Sequence, residues 1–251
     1  MIILMTGSNG FIGTNLREKL NSYANLSIDN LSILEFNSKD DIGLLKKYTL
    51  KCDFIYHLAA VHRPKNDSEF DRVNFKLLEH LLKLLEVNQN YCPILFSSSI
   101  QATENSLYGI SKLKSENLLK SFSHTTGNNS LIYRLTNTFG PHAKPNSHSV
   151  VATFCYNIAR SIPICISDPH RLLELYFINN VCDSFLSHLG TNPPEVCSDG
   201  FYRLPNSQMF SITLGDLAER IYSIKKNRLD LIGDRMSEYL TKTYWSYVPK
   251  N

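Results

Sequence analysis

Three polar side chains, Ser99, Tyr108 and Lys112, have the types and the spacing needed for general acid–base chemistry. Tyr108 and Lys112 stand four residues apart in the segment YGISK, so a helix would place them on one face. A phenol with an unperturbed pKa of about 10 is a poor proton donor or base near neutrality, but a neighbouring ammonium favours the phenolate and lowers that pKa. Ser99, the last residue of FSSS, could hold a carbonyl oxygen by a hydrogen bond. The trio therefore predicts proton transfer at a carbonyl oxygen.

A glycine-rich segment, TGSNGFIG, directly follows the first apolar run of the chain. Glycines at this spacing allow a tight turn and close approach of the backbone to a pyrophosphate, while the amides of the following helix point at the phosphates. A strand before the segment and a helix after it favour dinucleotide binding over a purely structural turn. The cofactor contacts predicted here are Gly7, Asn9, Gly10, Phe11, Ile12 and Gly13.

The segment ILEFNSK, at the end of the second predicted strand, bears on the choice between NAD and NADP. Glu35 could bind the ribose hydroxyls of NAD. Asn37, Ser38 and Lys39 could equally frame the extra phosphate of NADP. Strand alternation does not decide which side chain faces the ribose, so both cofactors stay open from the residues alone, with Asn37 and Ser38 as the predicted contacts.

These side chains need a framework that brings the ends of several strands together. Apolar runs predict strands over residues 2–5, 31–36, 54–58, 93–97 and 130–135. Amphipathic patterns predict helices over residues 11–23, 40–48, 67–88 and 107–126. Strands that are apolar on both faces and alternate with helices predict a doubly wound parallel α/β sheet of Rossmann type.

The regular alternation weakens after residue 134, where prolines punctuate shorter elements. Here the pattern predicts helices over 148–161, from 179 and over 213–225, and a strand over 174–178. We therefore expect a dinucleotide-binding domain over residues 1–140, to which 171–190 return, and a smaller substrate-binding region over 141–251.

Composition describes an ordinary globular protein. The chain has 251 residues, of which 43% are hydrophobic and 20% charged, and its net charge of +3 is too small and dispersed to predict a nucleic-acid or membrane partner. The apolar run at the amino terminus is too short for a signal peptide or a membrane span, which leads us to expect a cytoplasmic location.

Cysteines and histidines do not predict a metal site. The six cysteines form no CxxC pair, so buried free thiols are expected. His142, His148 and His170 have no partners at ligand spacing, and His57, before two alanines, is expected to be a packed, hydrogen-bonded residue.

Several segments together resemble the extended short-chain dehydrogenase/reductase family. They are TGSNGFIG, HLAA at 57–60, SSS at 97–99, YGISK and RLTNTFGP at 134–141. More narrowly, HLAAVHRP, SSSIQAT, SVVATFCYNIAR and NRLDLIGDRMSEYLTKTYWSYVP resemble the reductase domain of bifunctional capsular polysaccharide enzymes that make the UDP-N-acetyl-L-fucosamine precursor. The match spans residues 2 to about 247.

The resemblance implies an NADPH-dependent oxidoreductase, with NAD as the alternative cofactor. It would reduce the C4 carbonyl of a UDP-2-acetamido-2,6-dideoxy-4-ketohexose in the synthesis of a capsule or O-antigen precursor. In such enzymes Ser99, Tyr108 and Lys112 would be catalytic. Tyr108 and Lys112 would also contact the cofactor, Lys112 at the nicotinamide ribose. A homodimer through a four-helix bundle of the 67–88 and 107–126 helices is implied as well.

Further site residues follow from the same resemblance. Asn74 would support the backbone of the active site. The additional cofactor contacts would be Leu58, Ala59, Ala60 and Leu135. The substrate contacts would be Arg63, Ser99, Asn137, Lys144, Asn146, Ser149 and Val150.

The sequence departs from the family pattern in two places. FINNV stands where relatives commonly carry YVDDI, although asparagine can still cap the following helix. The sequence ends at Asn251 without the metal-binding cupin domain of the bifunctional enzymes, so we expect their second activity to be absent here or supplied by another polypeptide.

Two other functions remain as alternatives. One is a UDP-sugar 4-epimerase, which would retain NAD through each turnover; a 4,6-dehydratase is disfavoured because Ile100 and Gln101 stand where an Asp-Glu pair would follow the active-site hydroxyl residue. The other is a non-catalytic NAD(P)-binding protein. Such a protein would have no need of Ser99, Tyr108 and Lys112 together.

Overall fold

The structure is a computed structural model that describes residues 1–26, 31–147, 149–190, 193–227 and 233–249. It divides into two compact units. The first comprises residues Met1–Leu135 and Phe185–Arg203, and the second comprises Thr136–Ser184 and Leu204–Asn251.

The first unit is built on a five-stranded parallel sheet in the order β2-β1-β3-β4-β5. Its strands are β1 Ile2–Thr6, β2 Ser32–Phe36, β3 Phe54–His57, β4 Ile94–Ser99 and β5 Ser130–Leu135. The order reverses between β1 and β3, and in open α/β sheets ligands bind at the carboxyl ends of the strands at such a reversal.

Helices connect these strands. They are α1 Phe11–Leu26, α2 Gly43–Thr49, α3 Leu77–Val87 and α4 Leu107–Thr126. A π-helical turn, Phe70–Lys76, leads into α3, and a 3₁₀ turn, Ile100–Thr103, follows β4.

Both faces of the sheet are covered, which explains why most strand residues are apolar on either face. On one face, alternate strand residues pack with buried side chains of α3 and α4; the shared cluster includes Ile55, Ile94, Phe96, Leu78, Leu81, Leu85 and Phe122. On the other face, Tyr56 and Tyr133 pack against Phe185, and the Tyr56 hydroxyl donates to the Phe185 carbonyl at 3.0 Å.

The second unit contains a three-stranded sheet in the order β6-β7-β8. The strands are β6 Thr138–Phe139, β7 Leu172–Phe177 and β8 Met209–Thr213. The helices that follow β6 in the chain are α5 Val150–Ala159, α6 Ile178–Ser187, α7 Leu214–Lys225 and α8 Arg235–Tyr247, with α6 crossing the boundary between the units. The ring of Phe177 stacks on that of Tyr239, with centroids 4.0 Å apart, and joins α8 to this sheet.

The predicted fold class, a Rossmann-type parallel sheet flanked by helices, is confirmed. The predicted helix over 67–88 is instead a π-helical turn followed by a shorter α-helix. Sequence patterns missed β6, β8 and α8. Residue 148, the predicted start of α5 and one of the three histidines considered as metal ligands, lies outside the described residues.

The division into units differs from the predicted boundary. The first unit ends at Leu135, and the segment that returns to it is Phe185–Arg203. Residues 171–184 belong to the second unit because β7 pairs with β6 and β8.

Among the described residues, the helices are too short or too polar to cross a membrane.

Candidate active site

Ser99 and Tyr108 meet because the 3₁₀ turn and the start of α4 pack closely. The Ser99 hydroxyl caps the 3₁₀ turn by accepting from the Gln101 amide at 3.1 Å, and it hydrogen-bonds with the Tyr108 phenol. Gly109 permits this approach, since a Cβ atom there would lie 2.3 Å from the Gln101 carbonyl oxygen and 2.5 Å from that of Glu104. The glycine beside Tyr108 is therefore a packing requirement of the site.

Lys112 lies one helical turn after Tyr108 and is 1% exposed. Its ammonium donates to the Ser97 carbonyl oxygen at 2.8 Å. Nζ lies 4.7 Å from the centroid of the Phe96 ring and 5.9 Å from that of the Tyr108 ring. The four-residue spacing therefore places both side chains on one face, as the sequence predicts.

The expected lowering of the Tyr108 pKa by Lys112 is wrong. Burial raises the pKa of Tyr108 to about 12, and the hydrogen bond with Ser99 offsets only part of that shift. Burial also lowers the pKa of Lys112 to about 7, while the charge of Glu116 acts in the opposite direction. The reason is desolvation, which disfavours the charged form of each group.

Asn74, in the π-helical turn, ties the loop after β3 to α4. Its Oδ1 accepts from the Val61 amide at 2.8 Å, and its Nδ2 donates to the Val61 carbonyl and to the Ser111 hydroxyl, both at 3.0 Å. Ser115 donates to the Asn74 carbonyl oxygen at 2.8 Å. Asn74 therefore holds the backbone near the site in place, which is the supporting position that the resemblance implies.

His62 forms one wall of the Tyr108 environment. The centroids of the two rings are 4.5 Å apart, and the His62 Nε2 lies 3.3 Å from the Gln101 Oε1. Phe70 lies farther away, at 6.2 Å from the Tyr108 ring. Burial lowers the pKa of His62, so the imidazole is neutral at pH 7.

A buried ion pair lies on the next turn of α4. Glu116 is 0% exposed and accepts two hydrogen bonds from Arg134, at 3.0 and 2.7 Å, and one from the Ser98 hydroxyl at 2.6 Å. The Arg134 guanidinium also lies 3.6 Å from the centroid of the Phe201 ring. These contacts join α4 to β4 and β5 beside Lys112.

The glycine segment forms a tight turn between β1 and α1. Gly7 has φ +73°, and a Cβ atom there would lie 2.7 Å from the Ala59 backbone. A Cβ at Gly13 would lie 2.2 Å from the Gly7 carbonyl oxygen. Larger residues at either position would collide with backbone, so these glycines set the path of the loop.

A polar cluster lies between this loop and the end of β2. The Ser8 hydroxyl donates to Glu35 at 2.5 Å, and Arg17 donates to the same carboxylate at 2.8 Å. The Asn37 Oδ1 accepts from the Asn9 amide at 3.1 Å. Although burial opposes it, hydrogen bonding from Ser8 and Arg17 lowers the pKa of Glu35, so the carboxylate stays ionised.

These features fit a nicotinamide dinucleotide. The first-turn amides of an α-helix have no intrahelical acceptors and favour a pyrophosphate, and α1 begins directly after the glycine loop. Lys112 uses one N–H group on Ser97, and an ammonium has three donors, so the others can bind ribose hydroxyls.

His57 lies below this loop at the end of β3. It is 0% exposed, and its Nδ1 lies 2.9 Å from the Thr6 hydroxyl oxygen. Burial lowers its pKa to about 3, with the charge of Lys112 adding to the shift. The imidazole is therefore neutral at physiological pH and has a packing role, in line with the sequence interpretation.

The remaining predicted residues lie in both units. Those of the first unit are on or beside the carboxyl edge of the sheet: Gly10, Phe11, Ile12, Ser38, Leu58, Ala60, Arg63 and Leu135. Those of the second unit are on the segment from residue 137 to the start of α5: Asn137, Lys144, Asn146, Ser149 and Val150. Ser149 caps α5 by accepting from the Ala152 amide. Their contacts with cofactor or substrate stay predictions.

Sequence reasoning missed Arg17, Gln101 and the pair Glu116–Arg134. A signal for the pair was available, because Glu116 stands four residues after Lys112 and Arg134 interrupts an apolar strand. A charge in an apolar strand usually needs a buried partner.

The glycine loop at the reversal of strand order, followed by a Tyr–Lys pair at the carboxyl edge, defines a dinucleotide-binding enzyme fold. The model of the NAD dependent epimerase/dehydratase family matches residues 3–190. The chain belongs to this family, and the predicted extended short-chain dehydrogenase/reductase relationship is confirmed.

Two relatives are similar over the whole chain. One is UDP-2-acetamido-2,6-beta-L-arabino-hexul-4-ose reductase of Pseudomonas aeruginosa, at 33% identity over 100% of this chain and 66% of that protein. The other is the crystal structure of the capsular polysaccharide assembling protein CapF of Staphylococcus aureus, with a TM-score of 0.86 and 38% identity over 99% of this chain and 66% of that one. The chain thus spans slightly less than two thirds of the length of each.

More distant structures share the fold alone. WbmF of Bordetella bronchiseptica, crystallised with NAD⁺ and UDP, is 17% identical with a TM-score of 0.77, and the match covers 98% of this chain and 91% of that one.

The buried ion pair between Glu116 and Arg134 leads to a first prediction, which concerns the stability of the fold. Replacing Glu116 by Gln should lower the free energy of unfolding by about 3–5 kcal/mol, because the partly buried Arg134 guanidinium loses its counter-charge. Urea unfolding at pH 7 measures the loss. The control is Glu79→Gln, which removes an exposed pair with Lys83 and should change stability by less than about 0.5 kcal/mol. Equal losses in the two variants would contradict this account.

Burial of Lys112 generates a second prediction, on pH dependence. Its pKa is about 7 in the folded protein and 10.5 as a model value, so between these pH values the unfolded chain binds more protons. The stability of the wild type relative to Lys112→Met should therefore rise with pH across this window, by up to about 1.4 kcal/mol per pH unit, and be flat below it.

Urea unfolding of both proteins at a series of pH values between 6 and about 10.5 tests this difference, because the other titrating groups are common to both. Lys114→Met, which changes an exposed lysine on the same helix, is the matched control and should follow the wild type. A stability difference between wild type and Lys112→Met that does not vary with pH would refute the burial of an ionisable amine.

Proposed function

We propose that the protein is an NADPH-dependent reductase of a UDP-linked 4-keto-6-deoxy-N-acetylhexosamine. The observation that carries the proposal is the cluster of Ser99, Tyr108 and Lys112 at the carboxyl edge of the sheet. Similarity over the whole chain to a UDP-sugar hexulose reductase supports the substrate class and the direction of the reaction.

Tyr108 is the proton donor in this proposal. Its pKa of about 12 keeps the phenol protonated at neutral pH, which a general acid requires. The glycine loop and Lys112 would hold the nicotinamide cofactor, which would supply hydride for reduction at C4. The phenol then gives its proton to the oxygen of the reduced carbonyl.

Ser99 orients the carbonyl oxygen and Lys112 compensates the charge left on Tyr108. The Ser99 oxygen accepts from the Gln101 amide, and its single hydrogen, which faces Tyr108 in the free protein, would turn to the substrate oxygen. An ammonium at Lys112 stabilises the phenolate that forms when Tyr108 loses its proton. Because the pKa of Lys112 is about 7, this amine can also exchange protons near neutrality.

The residues assigned to the UDP-sugar by resemblance belong to the same proposal. They are Arg63, Asn137, Lys144, Asn146, Ser149 and Val150.

A homodimer through the α3 and α4 helices is also proposed. The exposed side chains of Leu107, Ile110 and Leu113, spaced three residues apart on α4, support it as the face that a bundle would bury.

Tyr108→Phe tests the catalytic assignment. Turnover of a UDP-4-keto sugar, followed as loss of NADPH absorbance, should fall by about 10²–10⁴-fold because the proton donor is gone. NADPH binding, measured by fluorescence titration, should be unchanged. Tyr91→Phe, which alters an exposed tyrosine before β4, is the control and should retain full turnover.

Other outcomes distinguish the alternatives. Near-normal turnover in Tyr108→Phe would remove Tyr108 from the mechanism. Interconversion of UDP-sugars by the wild type without net use of NADPH would identify an epimerase. Binding of NADPH with no turnover on any UDP-4-keto sugar would identify a non-catalytic protein.

The choice of NADPH over NADH rests on the polar cluster at β2. Arg17 neutralises Glu35, and a guanidinium has five N–H donors, so Arg17 can also bind the extra phosphate of NADPH. Arg17→Gln should then weaken NADPH binding by about tenfold or more while NADH binding changes little, since one charge-assisted hydrogen bond contributes about 1.5–3 kcal/mol.

The variant Glu35→Gln tests the same cofactor preference in the opposite direction. It removes a negative charge near the proposed phosphate position and should leave NADPH binding equal or tighter. Titrating both variants with NADPH and with NADH distinguishes the two cofactors. Weaker NADH binding in Glu35→Gln together with unchanged NADPH binding in Arg17→Gln would identify NAD as the cofactor.

A further inference from the structure

Cys52 and Cys92 lie with their sulfur atoms 3.8 Å apart at the amino edge of the five-stranded sheet. They are 40 residues apart in the sequence, so the fold brings them together. We propose that this cysteine pair is a thiol-oxidation site, at which a hydroperoxide converts the two thiols into an intramolecular disulfide.

Strand pairing sets the distance between the two backbones. Cys52 stands two residues before β3 and Cys92 two residues before β4, and Ile55 of β3 is the partner of Ile94 of β4. The Ile55 amide donates to the Pro93 carbonyl at 2.9 Å. Continued before the strands, this register would place Cys92 beside Asp53, so the two cysteines are offset by one residue on neighbouring segments about 4.8 Å apart. The 3.8 Å between their sulfur atoms shows that the side chains nevertheless meet.

One asparagine side chain holds both cysteine backbones. The Asn90 Nδ2 donates to the Cys52 carbonyl oxygen at 2.9 Å and to that of Thr49 at 2.8 Å. The Asn90 Oδ1 accepts from the Cys92 amide at 3.1 Å. Asn90 therefore holds the two cysteine backbones beside each other, and a disulfide requires the sulfur atoms to close from 3.8 Å to the S–S bond length of about 2.05 Å.

Exposure and polarity suit one thiol for each step. Cys52 is 3% exposed, whereas Cys92 is half-buried and opens the pair to a small oxidant. The hydrogen bond from the Cys92 thiol lowers the pKa of Cys52, which favours the thiolate that reacts with peroxide.

The reaction balances with one hydroperoxide as the oxidant. The Cys52 thiolate attacks H₂O₂, an S–O bond forms, the O–O bond breaks, and hydroxide leaves to take up a proton as water. The Cys92 sulfur then attacks the Cys52 sulfenic acid, an S–S bond forms, the S–O bond breaks, and a second water leaves with the Cys92 proton. Two thiols lose two electrons, and one peroxide is reduced to two waters.

This site is separate from the proposed active site. Ser99 ends β4, and the six residues of that strand span roughly 20 Å from the amino edge to the carboxyl edge. Oxidation of the cysteine pair therefore leaves Tyr108 and Lys112 unchanged, and its readout does not depend on catalysis.

The test treats the folded wild-type protein with hydrogen peroxide, removes the peroxide with catalase, and alkylates the remaining thiols after denaturation. The thiol count should fall from six to four, and digestion should give one crosslinked peptide pair containing Cys52 and Cys92. Dithiothreitol should restore all six thiols.

Two variants bracket the result. Cys92→Ser should form no crosslink, whereas Cys165→Ser, which removes an exposed cysteine, should still lose two thiols to the same disulfide. The proposal is overturned if the wild type keeps six thiols, if it forms a disulfide between other cysteines, or if Cys52 and Cys92 become sulfinic acids without a crosslink. Because the decisive measurement uses the wild type, a variant that fails to fold does not affect it.

Discussion

Burial of the Lys112 amine at the end of β4 is the constraint on which the candidate active site depends. An ammonium removed from water is destabilised by several kcal/mol unless its neighbours compensate. Here the charge of Glu116, the Ser97 carbonyl oxygen and the face of the Phe96 ring compensate only in part, and the pKa falls to about 7. The same desolvation holds the Tyr108 phenol in its protonated form. One physical effect thus prepares a neutral acid and an amine that titrates near neutrality.

That burial requires a rigid frame, since a mobile helix would let water reach the amine. Three contacts fix α4: Gly109 seats its first turn on the 3₁₀ turn, Asn74 ties it to the loop after β3, and Glu116 ties it to β4 and β5. Each contact comes from a different part of the chain. The geometry of the site is therefore a property of the whole first unit.

Periodicity predicted most of the first unit, because a parallel sheet covered on both faces leaves apolar runs separated by amphipathic segments. The glycine loop and the spacing of Tyr108 and Lys112 could also be recognised in the sequence, because both are short local patterns. The sign of the Tyr108 pKa shift could not, because spacing reveals neighbours but not solvent exposure. The π-helical turn was not predicted either. Asn74 in this turn contacts Val61 and Ser111, which lie in distant segments, and a local sequence pattern does not reveal such contacts.

The arginines and the lysine near the carboxyl edge of the sheet differ in how their charge responds to pH. Glu35 pairs with Arg17 and Glu116 with Arg134, and a guanidinium keeps its charge at any physiological pH. Lys112 instead donates to a neutral carbonyl, and an amine in that setting can lose its proton. The arginines therefore hold fixed charges that shape the site, while Lys112 responds to pH. An arginine at position 112 would keep its charge but could not exchange a proton with Tyr108 near neutrality.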